Sequence, residues 1–152
     1  MHYDLAVIGS GPAGQKGAIA AAKLGKRVAL IERQMESIGG VCVHTGTIPS
    51  KTIREAILHL TGFRQRDVYR EQFRRKRHIT MDDLRRKLDQ VVRNEHNVIE
   101  DQLDRNGIDV FAGNACFVDS NSLCIHAHDS VASISVDQIL IASGTLPARP
   151  YH

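Results

Sequence analysis

Short apolar runs and one alanine-rich segment define the pattern at the start of the chain. The first run is Leu5–Ile8, the second lies within Arg27–Ile31, and the alanine-rich segment lies between them. Unbroken apolar runs of this length are typical of strands that are buried on both faces of a parallel sheet. The segment between them predicts a helix from Pro12 to Leu24, which Gly25 ends as a C-terminal cap. The sequence therefore predicts a strand, a helix and a second strand in succession.

Two later stripes of apolar residues have helical spacing. The first stripe follows Lys51 and predicts a helix that Gly62 ends. The second stripe begins after Thr80 and Asp83, whose spacing predicts a capping box, and its helix ends at Asn106-Gly107. We interpret the second stripe as core packing, because a predicted sheet is available to cover it. The stripes are Ile53, Ala56, Ile57 and Leu60, and Leu84, Leu88, Val91, Val92, Val98, Ile99 and Leu103.

The last third of the chain is rich in predicted strands. One strand is predicted over Ile108–Val118, and the polar residues Asp119–Ser122 predict a turn after it. Two further strands are predicted over Leu123–Ala127 and Val131–Val136. The apolar run Ile139–Ala142 is typical of another buried parallel strand. Strands and helices in this order predict an α/β fold.

Length and charge restrict the possible classes of protein. The chain has 152 residues, which is typical of one domain, and a formal net charge of +3. The segment Arg64–Arg77 has seven basic and two acidic residues, a net +5, so the remainder carries −2. A nucleic-acid-binding protein usually has a wider basic face with interleaved aromatic residues, so no nucleic-acid partner is expected. We interpret the segment as a solvated loop, with a local site for an anionic partner as the alternative.

The sequence gives only indirect indications of the cellular location. No run of about 20 apolar residues occurs, so no membrane span is expected. The first strand begins almost at the N-terminus, which predicts no signal peptide and a cytoplasmic location.

The three cysteines, Cys42, Cys116 and Cys124, lack metal-binding spacing and predict free thiols, with the last two buried. His126 and His128 alternate on a strand without a visible third ligand, so exposed edge histidines are preferred to a metal pair.

The first predicted strand and helix are joined by a glycine-rich turn, Gly9-Ser10-Gly11-Pro12-Ala13-Gly14. Gly9 permits a tight turn, Gly11 lets a pyrophosphate approach the backbone, and Gly14 lets the helix pack closely on the strand. Pro12 suits the first helical turn, whose open N–H groups and dipole favour phosphate. The alternative is a glycine turn of another α/β protein without a nucleotide.

An acidic residue follows the second strand, as a dinucleotide site requires. Glu32 comes 18 positions after Gly14, where a carboxylate accepts hydrogen bonds from a ribose. The chain is then expected to be irregular from Arg33 to Gly40. The combination of strand, glycine turn, helix, second strand and acid predicts a dinucleotide site.

A second glycine-containing stretch extends from Gly39 to Lys51. Lys51 lies near the predicted start of a helix, where the dipole disfavours a cation, so it indicates a nearby anion or electron-rich ligand. An exposed lysine without a ligand is the alternative. Cys42 would be reactive if its surroundings favoured the thiolate, but it has no obvious resolving thiol nearby. His44 is expected to have a structural role.

These motifs together resemble the N-terminal FAD domain of the two-dinucleotide-binding flavoproteins, the class I pyridine nucleotide-disulfide oxidoreductases. The motifs are Gly9–Gly14, Glu32, Gly39-Gly40-Val41-Cys42 and Gly46–Lys51. Disulfide reductases of this family have Cys-x4-Cys in the second motif, whereas this chain has Cys42 followed by Thr47. Within the family the pattern is similar to the soluble, Si-specific transhydrogenases, as is Leu60–Tyr69. The resemblance implies a Rossmann-like α/β fold, a parallel sheet flanked by helices with a small antiparallel excursion.

The resemblance implies FAD as the cofactor. Glu32 would hold the ribose, Gly11 and Gly14 the pyrophosphate, and Lys51 would lie near the isoalloxazine. Ala115 would lie against the adenine, and Cys42 near the flavin without forming a disulfide. The cofactor-binding residues so implied are Gly9, Gly11, Pro12, Ala13, Gly14, Glu32, Arg33, Gly39, Gly40, Val41, Cys42, Lys51, Ala115, Ser143 and Gly144.

The activity that the resemblance implies is ping-pong hydride transfer from NADPH to NAD+ through FAD. NAD(H) and NADP(H) are the substrates, and the full-length family is homodimeric. Residues 1–152 would be the FAD-binding domain alone, without nicotinamide-binding and dimerisation domains or a complete catalytic set. We therefore expect a fragment of the enzyme. The alternatives are a dihydrolipoyl dehydrogenase-like disulfide reductase and a non-enzymatic nucleotide-binding or interaction module.

Overall fold

The computed structural model describes residues 1–60, 80–128, 130–146 and 148. Three predictions lie outside the described residues: the helix end at Gly62, the nature of the basic segment Arg64–Arg77, and most of the Leu60–Tyr69 resemblance. The strands are β1 His2–Ile8, β2 Val28–Glu32, β3 Asp109–Ala112, β4 Asn114–Asp119, β5 Ser122–His126 and β6 Val131–Ile141. The α-helices are α1 Pro12–Lys23, α2 Gly40–His44, α3 Thr47–Leu60 and α4 Met81–Arg105, and a short 3-10 helix covers Met35–Ser37.

The strands form one sheet in the order β3-β2-β1-β6-β5-β4. Strands β3, β2 and β1 and the second half of β6 are parallel, while β4, β5 and the first half of β6 form an antiparallel meander. Ser135 of β6 lies at the junction, because it pairs with His2 of β1 on one side and Ser122 of β5 on the other. The predicted Rossmann-like α/β fold with a small antiparallel excursion is confirmed.

Two apolar cores lie on opposite faces of the parallel strands. Alternation along each strand sends Val7 and Leu30 to the helical side, where they pack with Ile99 and Leu103 of α4. The neighbouring positions face the meander instead, and this second core consists of Tyr3, Ala6, Ala29, Ile31, Leu123, Ile125, Ile134 and Val136. Because both faces are covered, the strand sequences are apolar at successive positions rather than at alternate ones.

The strand boundaries of the last third differ from the prediction in two places. The predicted strand Ile108–Val118 is divided at Gly113, which has φ +151° and donates its N–H to Glu32 O at 2.9 Å. A Cβ on this glycine would lie 2.7 Å from His126 O, so the bend requires glycine. The two strands predicted over Val131–Ala142 are instead the single strand β6, because it pairs first with the meander and then with β1.

The predicted helix ends agree well with the structure, and the predicted burial agrees only in part. Helix α1 ends at Lys23, and Gly25 has the left-handed φ of +75° expected of a cap. The capping box is confirmed, since Thr80 Oγ1 accepts from Asp83 N and the Asp83 carboxylate accepts from Thr80 N. Val98 is 47% exposed, so its assignment to the core stripe of α4 is wrong.

The segment after β2 is more regular than expected. The 3-10 helix Met35–Ser37 lies within Arg33–Gly40, which was predicted to be irregular, and helix α2 begins at the last residue of that segment. Helix α3 begins at Thr47, earlier than the apolar stripe indicated. Pro49 lies in its first turn, where a missing N–H costs nothing, so proline here favours the helix start.

Tyr3 supplies a test of the second core, which the parallel strands share with the meander. It is 1% exposed, and its hydroxyl donates to Asp109 Oδ2 at 2.8 Å. Burial, followed by this hydrogen bond, raises the pKa of Tyr3 above its ordinary 10.0. We expect Tyr3→Phe to lower the free energy of unfolding by about 1 kcal/mol at pH 7, measured by chemical denaturation.

The pH dependence distinguishes this hydrogen bond from a loss of packing. A raised folded-state pKa means that the hydroxyl's contribution is fully present below the unfolded value and is lost as the pH rises through the folded value. The difference between the wild type and Tyr3→Phe should therefore shrink above pH 10. A difference that stayed constant through that range would contradict the assigned role of the hydroxyl.

Candidate dinucleotide-binding site

The carboxyl ends of three neighbouring strands meet at one edge of the sheet. Strand β1 lies between β2, the next strand in the chain, and β6, the last one, so the strand order reverses beside β1. Ligands bind at such a point in open α/β sheets. Gly9 N donates to Ile31 O at 2.8 Å, and Ala142 N donates to Ile8 O at 2.8 Å, so the segments after β1 and β6 stay together. These strand ends border a groove of about 690 Å³.

The groove is lined by five segments of the chain. They are the glycine turn, the end of β2, the loop around α2, the start of β4 and the segment after β6. The lining residues are Ile8, Gly9, Ser10, Gly11, Pro12, Ile31, Glu32, Arg33, Gln34, Ser37, Gly40, Val41, Cys42, His44, Thr45, Gly113, Asn114, Ala115, Ala142, Ser143, Gly144, Thr145 and Leu146.

The three motif glycines of the turn have different surroundings. Gly9 has φ +103°, and a Cβ there would collide with Ala142 O. A Cβ on Gly14 would collide with Gly9 O, so this glycine lets α1 pack on the turn itself. A Cβ on Gly11 would meet no atom of the described residues within 4 Å. Gly9 and Gly14 are therefore required by the fold, whereas Gly11 keeps backbone accessible from the groove.

The N-terminus of α1 can receive an anion. Its first intrahelical hydrogen bond runs from Gln15 N to Gly11 O at 3.0 Å, so the amides of Ala13 and Gly14 have no acceptor within the helix. Pro12 has no N–H to satisfy, and the first turn contains no acidic residue. Open amides and the positive end of the helix dipole favour phosphate at this position.

Glu32 is oriented by hydrogen bonds from within the chain. Its Oε2 accepts from Ser10 N at 3.0 Å and from Ser10 Oγ at 2.6 Å, and its Oε1 accepts from Gln34 N at 3.2 Å. A carboxylate oxygen has about two acceptor positions, so Oε1 retains one for a ligand hydroxyl. The acid at the end of β2 is thus fixed in place before any ligand arrives.

Ser10 connects the two glycine-containing motifs. It is fully buried, its Oγ accepts from Gly39 N at 3.3 Å, and its carbonyl accepts from the buried Gln15 Nε2 at 2.7 Å. No role was predicted for Ser10 or Gln15 from the sequence. The available signal was Gln15, a polar side chain in a helix made mostly of small and apolar residues, since a buried polar group needs a partner.

The second motif packs directly on the first. A Cβ on Gly40 would lie 3.2 Å from Gly11 Cα, and Gly39 has φ +96°, so glycines bring α2 against the turn. Val43 of α2 is buried in the helical-side core, and the side chain of His44 bonds to Ile38 O at 2.9 Å. This hydrogen bond gives His44 a structural contact, although the residue also lines the groove.

Most of the residues expected at a cofactor site lie together in this groove. Ala13, Gly14 and Gly39 are not among its lining residues, although the open amides of α1 belong to Ala13 and Gly14. Lys51 is exposed and lies in the second turn of α3, because that helix begins at Thr47. The structure therefore does not bring Lys51 into the groove. The expected residues that line the groove are Gly9, Gly11, Pro12, Glu32, Arg33, Gly40, Val41, Cys42, Ala115, Ser143 and Gly144.

Cys116, Cys124 and His126 do not line the groove. Cys116 is exposed and Cys124 is half-buried, so the expectation of buried thiols is wrong for Cys116. His126 is exposed on β5, which is paired on both sides, and not at an edge as expected.

Across the described parts of the chain, no three His, Cys, Asp or Glu side chains are arranged to hold a metal ion. No helix in those parts is long and apolar enough to cross a membrane.

A strand–glycine turn–helix unit at a strand-order switch, with an acid after the next strand, defines a Rossmann-like dinucleotide-binding protein. Comparison with known proteins gives the particular family. Residues 3–152 match the family Pyridine nucleotide-disulphide oxidoreductase, and the chain belongs to this family of oxidoreductases.

Relatives in this family are soluble pyridine nucleotide transhydrogenases. The chain is 49% identical over 151 residues to that of Mycobacterium tuberculosis (strain ATCC 25177 / H37Ra), covering 98% of this chain and 32% of the relative. It is 38% identical to that of Citrobacter koseri, covering 99% of this chain and 31% of the relative. The chain thus spans about a third of the length of these relatives.

A solved structure has the same fold. The HOCl-induced flavoprotein disulfide reductase RclA from Escherichia coli, in its Cu(II) complex, aligns with a TM-score of 0.79 and 29% identity. The alignment covers 99% of this chain and 30% of the RclA chain. The comparison with a flavoprotein over nearly the whole chain agrees with the α/β fold described above.

Proposed function

We propose that residues 1–152 form the N-terminal part of the FAD-binding domain of a flavoprotein that transfers hydride between NADPH and NAD+ through FAD. FAD, when bound, supplies the hydride acceptor and donor, while this chain binds and orients it. NAD(H) and NADP(H) are the proposed substrates of a protein with the full length of the relatives. A homodimer and a cytoplasmic location belong to the same proposal.

The groove has the features that FAD requires. Its volume of about 690 Å³ lies within the ~300–1,000 Å³ typical of cofactor sites. Gly11 leaves open backbone beside the α1 N-terminus for a pyrophosphate, and Glu32 keeps an acceptor position for a ribose hydroxyl. Ala115, at the start of β4, is the proposed neighbour of the adenine. Cys42 and Ser143 are on opposite segments of the lining, where the remainder of the cofactor would lie.

The observation that favours hydride transfer over dithiol chemistry is Thr47. Cys42 lies in the groove, but the position five residues later carries a hydroxyl, and the other two cysteines lie on β4 and β5. Disulfide reduction requires a second sulfur within bonding reach of the first. A transhydrogenase needs the flavin alone, and the relatives at 49% identity are named as transhydrogenases.

The proposed ribose contact is tested by Glu32→Gln. The amide oxygen can still accept from Ser10, but the amide nitrogen then replaces the acceptor that faces the ligand. We expect FAD affinity to fall about tenfold or more, because a charge-assisted hydrogen bond is lost. Isothermal titration of the purified chain with FAD measures this. The control is Glu36→Gln, an acidic residue of the nearby 3-10 helix, which should leave the affinity unchanged.

Activity assays separate the alternatives. A protein of the relatives' length with this sequence as its FAD domain should reduce thio-NAD+ with NADPH in the absence of any dithiol. NADH turnover that depended on a dithiol would instead indicate a disulfide reductase. Failure of the chain to bind FAD, together with a native circular dichroism spectrum, would leave an interaction module as the better description.

A further inference from the structure

Two cysteines outside the groove are paired by the strand register. Cys116 of β4 lies directly opposite Cys124 of β5 in the antiparallel meander. Residues directly opposite each other point to the same face of a sheet. Their neighbours Leu123 and Ile125 are buried in the second core, so the two thiols lie on the opposite, outer face.

The register of this pair is compatible with a disulfide. Opposite residues of antiparallel strands have Cα atoms about 4.5–5.5 Å apart. Disulfides join cysteines whose Cα atoms are about 4.4–6.8 Å apart, so a directly opposed pair falls within the range that a bridge requires. Both cysteines are free thiols, Cys116 exposed and Cys124 half-buried, so an oxidant can reach the pair from solvent.

A base lies beside one of the two thiols. His126 is two residues after Cys124 on the same face of β5, and its Nε2 is 3.4 Å from Cys124 Sγ. In the tautomer with its proton on Nδ1, this nitrogen can accept the thiol proton. The side chains do not form a metal site, because the described residues contain no suitable group of three ligands. A histidine beside one of two opposed thiols is an arrangement suited to thiol oxidation.

We propose that Cys116 and Cys124 form an oxidisable dithiol that a peroxide converts to a reversible disulfide. His126 takes the proton of Cys124, and the thiolate attacks one peroxide oxygen. The O–O bond breaks, giving a sulfenic acid on Cys124 and hydroxide, which takes the proton from His126 and becomes water. Cys116 then displaces water from the sulfenic sulfur, so two thiols and one hydrogen peroxide give one disulfide and two waters.

The disulfide should be easily reduced again. Structural disulfides resist reduction, whereas exposed or strained disulfides have more oxidising potentials. This bridge would join two adjacent strands on an exposed face, so dithiothreitol should return both thiols. The site is separate from the proposed flavin groove, which contains Cys42.

The test is thiol counting on the purified chain before and after hydrogen peroxide. We expect the reactive thiols to fall from three to one, and protease mapping to find residues 116 and 124 in one cross-linked peptide that dithiothreitol separates. Cys42→Ser should still form the cross-link, whereas Cys116→Ser and Cys124→Ser should not. His126→Gln should slow oxidation of Cys124 about tenfold, measured by the rate of thiol loss.

Two results would overturn the proposed dithiol, and a third would overturn the role given to His126. One is oxidation of Cys42 while Cys116 and Cys124 keep their thiols. Another is a peroxide-induced bond between two chains, seen as a dimer on a non-reducing gel. The third is cross-linking at an unchanged rate in His126→Gln, which would remove the role of the imidazole. If Cys124→Ser does not fold, Cys116→Ser, at the exposed position, gives the same information.

Discussion

Replacing Gly14 by alanine is expected to lower the free energy of unfolding by about 3 kcal/mol and the melting temperature by about 10 °C. The added Cβ would collide with Gly9 O, and Val7 Cγ1 would be 3.3 Å away. The first contact is with backbone rather than with the end of a flexible side chain, so relief requires α1 to move from β1. Thermal unfolding followed by circular dichroism measures the loss.

The matched control is Gly11→Ala, three residues earlier in the same turn. Gly11 has φ −63° and ψ 175°, which alanine adopts readily, and its Cβ would meet nothing within 4 Å in the described structure. Its stability should be unchanged or slightly higher, because alanine lowers the entropy of the unfolded chain. Its FAD affinity should nevertheless fall about tenfold or more under the proposed function, since the methyl group enters the groove. Equal loss of stability in both variants would contradict the division of roles between these glycines.

The parts of the fold that were predictable have local causes. The turn Gly9–Gly14 needs a positive φ and close contacts that only glycine permits, so its sequence is restricted by the backbone itself. The capping box of Thr80 and Asp83 is equally local, because both partners lie within one helical turn. The position of Glu32 at the end of the second strand could be predicted because this residue ends an apolar run. Such features can be identified without knowing what lies across the sheet.

The strands of the last third depend on partners that are distant in sequence. Val131–Ile141 contains the polar pair Asp137-Gln138, which made it resemble two strands. In the structure its pairing partner changes from β5 to β1 near Ser135, while the backbone continues as one strand. Gly113 could not be recognised as a bend because its constraint, His126 O, lies on another strand. The pattern of side chains along one strand does not show which strand pairs with it or which backbone atoms lie against it.

The residues of the candidate site also divide into those that local sequence predicts and those that depend on distant contacts. The glycines and Glu32 were predictable because their spacing follows from the turn and the strand. Lys51 was expected near the cofactor from its place at a helix start, but α3 begins earlier and leaves the lysine exposed. Ser10 was missed for the opposite reason. The glycine motif does not specify the residue at this position, so the role of Ser10 is revealed by its burial and its partners.

Ser10→Ala is expected to lower the free energy of unfolding by about 3 kcal/mol. The change removes the 2.6 Å hydrogen bond to Glu32 Oε2 and leaves the buried N–H of Gly39 without its acceptor. Hydrogen bonds to charged groups contribute about 1.5–3 kcal/mol, and an unsatisfied buried donor costs about 1–3 kcal/mol. Urea denaturation measures the loss. Ser37→Ala is the control, because this serine also lines the groove but makes only a 3.4 Å bond to Gln34.

A double-mutant cycle shows whether Ser10 acts through the acid. In Glu32→Gln the carboxylate is already replaced, so Ser10→Ala should cost less there than in the wild type, with a coupling free energy of about 1 kcal/mol or more. If Ser10 and Glu32 contributed independently, the two losses would add. Additive losses, or a loss in Ser10→Ala no larger than in Ser37→Ala, would contradict a shared network. Coupling would mean that the turn that packs α1 on β1 also orients the carboxylate, so the fold and the proposed ribose site are stabilised by the same hydrogen bonds.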